Sequence, residues 1–397
     1  MNAVIEPGLL RGAVTAPPSK SHAHRLLIAA ALSGQDCRIL RPGDSEDIAA
    51  TVRCLQALGA DVRREGEGLS VRPGKGVSSA ALDCGESGST LRFLLPVLCA
   101  MEGDFTLSGR GRLPERPLEP LLSALRAHGA AIAGDRLPLR VSGGLRSGEY
   151  DLPGSVSSQY FSGLLFALPL LVGNSTLRFT SPLESAPYVE MTLSVLRQFG
   201  IRAEEWENGW RVPGNQRYSA PEEIGTDGDW SAAAFFLGAD ALGSDVRICG
   251  LDPASCQGDR AVAGLLQRIG EEIDFSDTPD LLPIVAAAAA ASPGKTTRLT
   301  GAARLRIKES DRLSAMADAI RCLGGEAEEL PDGLTVCGRK LTGGTVDGRH
   351  DHRIVMSAAV AATVCAGPVT VLGAEAVNKS YPGFWRDFAA LGGKVHV

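Results

Sequence analysis

The hydrophobic and polar positions of this chain repeat one order: an amphipathic helix, a glycine that ends it, and a hairpin of alternating residues. In the first copy, Ile48, Val52, Leu55 and Leu58 place one apolar stripe on a helix, and Gly59 ends it. The pattern then changes to a period of two, which is typical of a half-buried hairpin. The helix-ending glycines are Gly59, Gly129, Gly200, Gly270, Gly324 and Gly392.

The spacing of these glycines indicates that one module has been duplicated. Successive intervals are 70, 71, 70, 54 and 68 residues. A period of this length exceeds that of most solenoids and favours a mixed unit of helix and strand. The short interval after Gly270 predicts that the fourth copy lacks its hairpin, because a helical run begins soon afterwards at Asp280.

A second recurring signature is a polar helix start followed by a helix that is apolar on nearly all sides. The six starts are Ser19-Lys20-Ser21, Ser87-Gly88-Ser89-Thr90, Ser157-Ser158-Gln159, Asp229-Trp230-Ser231, Thr278-Pro279-Asp280 and Asp351-His352-Arg353. Helices of this kind should be buried, so we expect them inside the domains with their N-termini at one end. Helix N-termini carry unpaired N–H groups and positive partial charge, and several of them facing one cleft would form an anion site.

The repeats also predict the domain organisation. Three copies occupy roughly the first half of the chain and three the second, with a polar stretch between them at residues 214–228. Because the last copy ends just after its strand, it lacks the strand that precedes the helix starts elsewhere, and we expect the N-terminal segment, residues 3–16, to supply that strand. The predicted domains are residues 15–220, and residues 1–14 together with 221–397. A hinge is expected at the two crossings.

Composition excludes several classes of protein. The 397 residues are 44% hydrophobic and 22% charged, which is enough for two substantial cores. The net charge of −6 argues against general nucleic-acid binding, so cations for an anionic ligand must be concentrated locally. The apolar helices are too short and broken to span a bilayer, and no secretory signal is seen, so we expect a cytoplasmic protein without a membrane partner. Nine cysteines without a Cys-x-x-Cys pair favour reduced thiols.

Candidate chemistry is concentrated in a few charged motifs. Lys20 stands at a helix start without the glycine pattern of a phosphate-binding loop, and a motif of this kind taken alone is more often a capped, solvated helix than a site. Lys308 and Arg312 share a helix face beside Glu309, although a salt-bridged surface helix would show the same spacing. The glycine- and proline-rich segment 109–117 carries Arg116 and could close over an anion.

The histidine pairs do not predict a metal site. His22 and His24, like His350 and His352, are separated by one residue, and such residues diverge on a helix. We therefore expect no bound metal. Asp351-His352-Arg353 is better explained as an arginine presented at a helix start, with His352 as a hydrogen-bonding neighbour.

Taken together, the motifs are more specific than any one of them. In chain order they are Lys20-Ser21-x-x-x-Arg25, residues 85–92, Glu115-Arg116-Pro117, Ser157-Ser158-Gln159, Ser185-x-Pro187-Tyr188, Lys308-Glu309-Ser310-Asp311-Arg312, Asp351-His352-Arg353 and Lys379. Over essentially its whole length the chain resembles the 5-enolpyruvylshikimate-3-phosphate synthase family. The resemblance implies an α/β fold, a two-domain inside-out α/β barrel in which each domain has three copies of a helix and strand unit around buried parallel helices.

The resemblance also implies an activity. It is the transfer of the enolpyruvyl group of phosphoenolpyruvate to the 5-hydroxyl of shikimate 3-phosphate, with release of phosphate and without a metal or organic cofactor. The family resemblance further implies a monomer with small-molecule substrates as its only partners, and sensitivity to glyphosate. Domain closure would bring the two halves of the site together.

The resemblance assigns residues by position. Those implied for shikimate 3-phosphate are Lys20, Ser21, Arg25, Ser157, Ser158, Gln159, Ser185, Asp280 and Lys308. Those implied for phosphoenolpyruvate are Lys20, Gly88, Arg116, Gln159, Arg312, Arg353 and Lys379. Of the implied catalytic residues, Asp280 deprotonates the 5-hydroxyl, Glu309 exchanges protons with the methylene carbon, and Lys20 protonates the bridging or the departing oxygen. Arginine forks suit both carboxylate and phosphate.

Two departures from the family pattern and two alternatives stay open. Glu86 and Arg304 stand where asparagine is common, and we leave both outside the site. The related transferase that acts on UDP-N-acetylglucosamine carries a reactive cysteine on its mobile loop, whereas residues 109–117 contain none. A non-catalytic binding protein on the same repeats would not need Asp280 and Glu309 together with the converging cations.

Overall fold

The computed structural model describes all 397 residues as short strands alternating with helices. The helices are α1 Lys20–Leu32, α2 Glu46–Ala57, α3 Gly88–Ala100, α4 Leu121–Ala127, α5 Ser158–Ala167, α6 Ala186–Gln198, α7 Trp230–Ala241, α8 Val262–Gln267, α9 Leu282–Ala290, α10 Arg312–Cys322, α11 His352–Ala362 and α12 Phe384–Ala390. Strands of the first half are β1 Asn2–Glu6, β2 Arg11–Thr15, β3 Cys37–Leu40, β4 Asp61–Glu65, β5 Gly68–Arg72, β6 Ser79–Asp83, β7 Asp104–Ser108, β8 Ile132–Ala133, β9 Leu139–Val141, β10 Glu149–Leu152 and β11 Ser175–Phe179. The remaining strands are β12 Glu204–Trp206, β13 Gly209–Val212, β14 Glu223–Gly225, β15 Asp245–Cys249, β16 Glu272–Asp274, β17 Thr296–Thr300, β18 Glu326–Leu330, β19 Gly333–Cys337, β20 Gly344–Asp347, β21 Val369–Leu372 and β22 Lys394–His396.

Five sheets have four strands in one common arrangement. Their orders are β14-β3-β5-β4, β6-β7-β9-β8, β10-β11-β13-β12, β16-β17-β19-β18 and β20-β21-β1-β22. In each sheet the first two strands are parallel, as with Ser79 opposite Asp104, and the remaining pairs are antiparallel. The predicted duplication of a helix and strand module is therefore confirmed by the strand pairing.

The fourth copy lacks the hairpin, as the short glycine interval predicts. Its strand β15 pairs only with β2, in parallel, with Asp245 opposite Arg11. After Gly270 the chain goes directly into β16, which belongs to the next sheet. The shortened copy is therefore completed by a strand from the start of the chain.

The N-terminal segment completes the last copy, but at a position that differs from the expected one. Strand β1 lies between β21 and β22 and runs antiparallel to both, with Val4 opposite Thr370 on one side and His396 on the other. It therefore replaces the second strand of the last hairpin, rather than a strand that precedes a helix start. The last copy contributes β22 to this hairpin, and β1 supplies the other strand.

The chain divides into two compact units. One contains Met1–Ser19 and Asp227–Val397, and the other contains Lys20–Thr226. Both divisions fall a few residues beyond the boundaries expected from the sequence. Strand pairing explains the difference, because β2 pairs with β15 in the first unit and β14 pairs with β3 in the second.

Each unit has its own core, built around helices that are buried on nearly all sides. In α9 all nine residues are buried, and in α1 every residue from His22 to Ala30 is buried. Two buried helices, α3 and α5, approach closely at Gly163, where an added Cβ would lie 2.1 Å from the carbonyl oxygen of Arg92. No helix in the structure is long and apolar enough to cross a membrane.

All six helix-ending glycines have a left-handed backbone, with φ between 75° at Gly200 and 110° at Gly270. Gly392 is useful for measuring the cost of this conformation, because an added Cβ there would meet no atom within 4 Å. Gly264 in α8 has equally open surroundings but an ordinary helical backbone. Because an added Cβ has no steric contact at either position, comparing alanine substitutions at the two glycines measures the effect of backbone conformation.

We expect Gly392→Ala to lower the free energy of unfolding by about 1–2 kcal/mol, because alanine disfavours the left-handed region. Gly264→Ala should raise the same quantity by roughly 0.5–1 kcal/mol, because alanine favours a helix over glycine. Urea unfolding of both variants measures the difference. Equal effects from the two substitutions would contradict a conformational role for Gly392.

Candidate active site

The first unit contains a buried arginine that contacts three carboxylates. The side chain of Arg312, the first residue of α10, is 2% exposed. Its Nε donates to Asp351 Oδ2 at 2.7 Å, its Nη1 to Asp280 Oδ1 at 2.8 Å and its Nη2 to Glu309 Oε2 at 2.8 Å. Burial opposes the charge of Arg312, but Asp351, Glu309 and Asp280 outweigh it and raise its pKa. One guanidinium thus holds the starts of three successive elements together.

Asp351 is the fully buried member of this group. It is the N-cap of α11, where its Oδ1 accepts the backbone N–H of Arg353 at 3.0 Å. Its Oδ2 accepts the Ser310 hydroxyl at 2.9 Å in addition to Arg312. Asp351 therefore caps a helix and orients the arginine at the same time.

Asp280 lies in a single turn of 3-10 helix, residues 279–281, immediately before α9. Its Oδ2 accepts Arg353 Nη2 at 3.0 Å, and its backbone carbonyl accepts Arg353 Nη1, also at 3.0 Å. Burial would raise the pKa of Asp280, but the charges of Arg353, Lys308 and Arg312 outweigh that effect and hold it well below the usual range. Asp280 is thus a carboxylate held by two arginines.

A further buried carboxylate, Asp259, was missed by sequence reasoning. It accepts a hydrogen bond from the Ser231 hydroxyl and is 2% exposed. Burial raises the pKa of Asp259 to about 6, and the nearby charge of Asp280 acts in the same direction against that of Arg353. No sequence signal singled it out, because Gly258-Asp259-Arg260 has the composition of a solvated turn.

In the second unit, the predicted residues Lys20 and Gly88 occupy the first positions of α1 and α3. The Nζ of Lys20 lies 2.8 Å from Oδ2 of Asp47, which is in the first turn of α2 and was also missed. At Gly88 an added Cβ would lie 2.5 Å from Nη1 of Arg92 and 2.9 Å from Nη1 of Arg116. A side chain at this position would displace the two guanidinium groups, which lie against the backbone.

Gln159 joins the starts of α3 and α5. Its Oε1 accepts Arg92 Nη1 at 3.2 Å, and its Nε2 donates to the Ser89 hydroxyl at 2.9 Å. Ser157 caps α5 by accepting the backbone N–H of Gln159 at 3.3 Å, and Ser158 is buried beside it. The N-termini of two helices with their partial positive charge therefore lie side by side.

Arg25 is buried inside the unit, whereas an arginine that binds a ligand at the surface would be exposed. Only 2% of it is exposed, and its guanidinium donates to the Thr192 hydroxyl at 2.7 Å and to the backbone carbonyl of Tyr188 at 2.8 Å. It also donates to the carbonyl of Ser21 at 2.7 Å. Arg25 thus connects α1 to α6, whose preceding residue, Ser185, has a left-handed φ of 55°.

The remaining predicted residues are placed as follows. Lys308 is half-buried, and its charge lowers the pKa of Asp280. Lys379 is buried and is the last residue of the 3-10 helix at residues 374–379. The carboxylate of Glu86 lies against Gly111 in the loop, and Arg304 donates to the carbonyl of Ser276 at 2.7 Å.

Each unit therefore presents basic side chains at clustered helix N-termini, an arrangement that binds phosphate and carboxylate groups. No group of three or more histidine, cysteine, aspartate and glutamate side chains is placed to hold a metal ion. The fold and these clusters define a class of enzyme that acts on small anionic substrates.

The chain is similar to solved structures of EPSP synthase from Acinetobacter baumannii. One has a TM-score of 0.82 with 27% sequence identity, and the match covers 100% of this chain and 99% of that one. A second also has a TM-score of 0.82, with 26% identity and complete coverage of both chains. These likenesses confirm the predicted two-domain inside-out α/β fold.

Curated relatives extend the comparison. The chain is 41% identical to the 3-phosphoshikimate 1-carboxyvinyltransferase of Clostridium acetobutylicum over 424 aligned positions, covering 100% of this chain and 99% of the relative. It is 40% identical to the same enzyme of Clostridium novyi, covering 99% and 98%. The model of the EPSP synthase (3-phosphoshikimate 1-carboxyvinyltransferase) family matches residues 4–278 and 270–388. The chain belongs to this family, and it is a transferase of the shikimate pathway.

The two aspartate caps of this site allow a test of the buried arginine network. Asp351 and Asp311 both cap helices, but Asp311 is 37% exposed and Asp351 is not exposed at all. Asparagine caps a helix about as well as aspartate, so Asp→Asn removes mainly the charge. Asp351→Asn should lower the free energy of unfolding by about 2–4 kcal/mol, because it removes one carboxylate from a buried arginine. Asp311→Asn should lower the same quantity by less than about 1 kcal/mol. Similar losses in the melting temperature of both variants would contradict this account.

Proposed function

We propose that this chain transfers the enolpyruvyl group of phosphoenolpyruvate to the 5-hydroxyl of shikimate 3-phosphate, releasing phosphate. Family membership over the whole chain supports the reaction, and the basic clusters at the helix N-termini support the two anionic substrates. Shikimate 3-phosphate is assigned to the residues Lys20, Ser21, Arg25, Ser157, Ser158, Gln159, Ser185, Asp280 and Lys308. Phosphoenolpyruvate is assigned to Lys20, Gly88, Arg116, Gln159, Arg312, Arg353 and Lys379.

The observation that carries the catalytic assignment is the shared guanidinium of Arg312. Its Nη1 holds Asp280 and its Nη2 holds Glu309, each at 2.8 Å. Because the guanidinium group is rigid, two carboxylates hydrogen-bonded to its neighbouring nitrogens have a fixed separation. A base and an acid that act as a pair require such a fixed separation. Asp280 has two arginine partners that favour its charged form, so we assign it as the base and Glu309 as the proton donor.

The proposed reaction has two steps. In the first, the 5-hydroxyl oxygen adds to C2 of phosphoenolpyruvate while Asp280 takes the hydroxyl proton and Glu309 gives a proton to C3, which becomes a methyl group. In the second, Glu309 removes a proton from the methyl group, the C2–O bond to phosphate breaks, and the C2–C3 double bond forms again. Lys20 protonates the departing oxygen, and exchange with solvent then returns Asp280 and Lys20 to their starting states.

The depressed pKa of Asp280 would by itself make it a poor base, because an effective base has a pKa near the working pH. The arginines that lower it are the two assigned to phosphoenolpyruvate. Substrate carboxylate and phosphate groups would compete with Asp280 for the same N–H donors and bring negative charge close to it. We therefore propose that phosphoenolpyruvate raises the pKa of Asp280 when it binds and so activates the base.

A coupled assay of phosphate release tests the function. Purified protein with phosphoenolpyruvate should release phosphate in the presence of shikimate 3-phosphate. It should release none with UDP-N-acetylglucosamine, the acceptor of the related transferase. Activity with the nucleotide sugar alone would reverse the assignment, and release with neither acceptor would favour a non-catalytic binding protein.

The finer features of the proposal are a cytoplasmic, monomeric enzyme whose partners are these small molecules rather than nucleic acid or membrane. The negative net charge supports the absence of a nucleic-acid partner. The scheme above assigns every proton transfer to a side chain of the chain itself, and no step to a cofactor.

Removing the acid or the base should reduce turnover strongly. We expect Glu309→Gln and Asp280→Ala each to lower kcat by about two to four orders of magnitude, the usual range for a general acid or base, with smaller effects on KM. Glu328→Gln, at an exposed position of β18, is the matched control and should keep wild-type turnover. Unchanged kcat in Glu309→Gln or Asp280→Ala would remove that residue from the mechanism.

Glyphosate inhibition provides a separate test of Gly88. The inhibitor is expected to compete with phosphoenolpyruvate, and an added methyl group at Gly88 meets the guanidinium groups of Arg92 and Arg116. Displaced arginines weaken both ligands, but the longer inhibitor also clashes with the methyl group, so Gly88→Ala should lose more affinity for glyphosate than for substrate. Gly225→Ala, where an added Cβ meets nothing within 4 Å, is the control. Equal losses for the two ligands would show that Gly88 does not discriminate by length.

A further inference from the structure

Two polar contacts connect α1 to α2 one helical turn apart. Lys20 Nζ meets Asp47 Oδ2 at 2.8 Å, and His24 Nδ1 meets Thr51 Oγ1 at 2.7 Å. Both partners advance by four residues, so the contacts lie one above the other on facing helices. His24 and Thr51 have no exposed surface. Below the ion pair of Lys20 with Asp47, the next contact between the two helices is therefore made inside the core by polar groups, those of His24 and Thr51.

The contacts continue from α2 to α3. Thr51 Oγ1 lies 2.6 Å from Thr90 Oγ1, and the Thr90 hydroxyl donates to Ser87 Oγ at 2.7 Å. Ser87 is the N-cap of α3 and directly precedes Gly88. His24, Thr51, Thr90 and Ser87 thus form a continuous hydrogen-bonded relay, and all four are completely buried.

Counting hydrogens gives the relay a direction. A threonine hydroxyl has one hydrogen to donate, and Thr90 gives its own to Ser87, so Thr51 must donate to Thr90. Thr51 then accepts from His24, which assigns a proton to Nδ1 of that ring. Burial lowers the pKa of His24 to about 3, with Lys20 and Arg25 acting in the same direction against Asp47. The ring is therefore neutral, with its single proton on Nδ1.

An apolar contact of the same shape would pack equally well at this place. Burying hydroxyl and imidazole groups costs free energy that their hydrogen bonds only just offset, so the relay contributes little net stability. Hydrogen bonds, unlike apolar contacts, fix distance and direction between the groups that they join. The relay therefore restricts the position of the first turn of α3 relative to α1.

We propose that His24, Thr51 and Thr90 are positioning residues that hold Gly88 at a fixed distance from Lys20 and thereby set the affinity for phosphoenolpyruvate. This inference rests on the proposed function, in which both of those residues contact that substrate. Lys20 is assigned to both substrates, whereas Gly88, which directly follows the last residue of the relay, is assigned to phosphoenolpyruvate alone. Loss of the relay should therefore affect the two substrates unequally.

Thr51→Val breaks the relay at its centre with almost no change of shape. We expect it to raise KM for phosphoenolpyruvate roughly tenfold, because displacements well under 1 Å have effects of this size in active sites. KM for shikimate 3-phosphate should stay within about twofold of wild type. Thr297→Val, which removes another fully buried hydroxyl contact in the other unit, is the matched control and should change neither constant.

Substitutions of His24 provide the rescue test. Asparagine places an N–H donor close to the position of Nδ1, whereas leucine has a similar volume without a donor. His24→Asn should keep KM for phosphoenolpyruvate within about threefold of wild type, and His24→Leu should raise it as Thr51→Val does. If the asparagine and leucine variants have equal KM values for phosphoenolpyruvate, the positioning role is overturned. Equal changes in KM for both substrates, together with a lower melting temperature, would also overturn it.

A spectroscopic measurement tests the relay without turnover. Nitrogen-15 NMR of the histidine rings should show His24 protonated on Nδ1 in the wild type, and this signal should be lost or shifted in Thr51→Val. A proton on Nε2 in the wild type would overturn the relay, whatever the activity. Absence of phosphate release by the wild-type protein would instead overturn the proposed function, so the two failures are distinguishable.

Discussion

The buried guanidinium of Arg312 is the interaction on which the chemistry of the first unit depends. Removing a charge of this kind from water costs several kcal/mol, and three carboxylates offset that cost. The group is planar and its donors point in fixed directions, so the carboxylates must approach along those directions. Asp280 and Glu309, the proposed base and acid, are consequently held at a fixed separation, and Asp351 joins the same arginine to the start of α11.

The second unit joins its helix N-termini in a different way. Apart from the ion pair of Lys20 with Asp47, its contacts use neutral amide and hydroxyl groups: the Gln159 amide bonds Ser89 and Arg92, and the Thr51 hydroxyl bonds that of Thr90. Neutral hydrogen bonds fix geometry without cancelling the partial positive charge of the helix ends. One unit therefore combines its cations with the carboxylates proposed for proton transfer, while the helix ends of the other keep a partial positive charge that favours anions.

Exchange of strands between copies explains the arrangement of the two units along the chain. Strand β2 precedes α1 but pairs with β15, and β14 precedes α7 but pairs with β3. Short strands of this kind can satisfy the hydrogen bonds of their backbone groups at any compatible sheet edge. The alternating pattern therefore predicts where a strand lies in the sequence, but not which strand it pairs with. The same reason explains why β1 was expected at the wrong position of the last sheet.

The sequence by itself determined which helices are buried, where the six glycines end helices, that the fourth copy lacks a hairpin, and which family the motifs indicate. These features follow from local spacing, which decides the apolar face and the conformation of each segment. Only the tertiary structure decided that Asp47 contacts Lys20, that Asp259 is buried, and that His24 begins a relay to α3. Such polar residues resemble solvated ones in the sequence, because their partners lie far along the chain and meet them only when the helices pack.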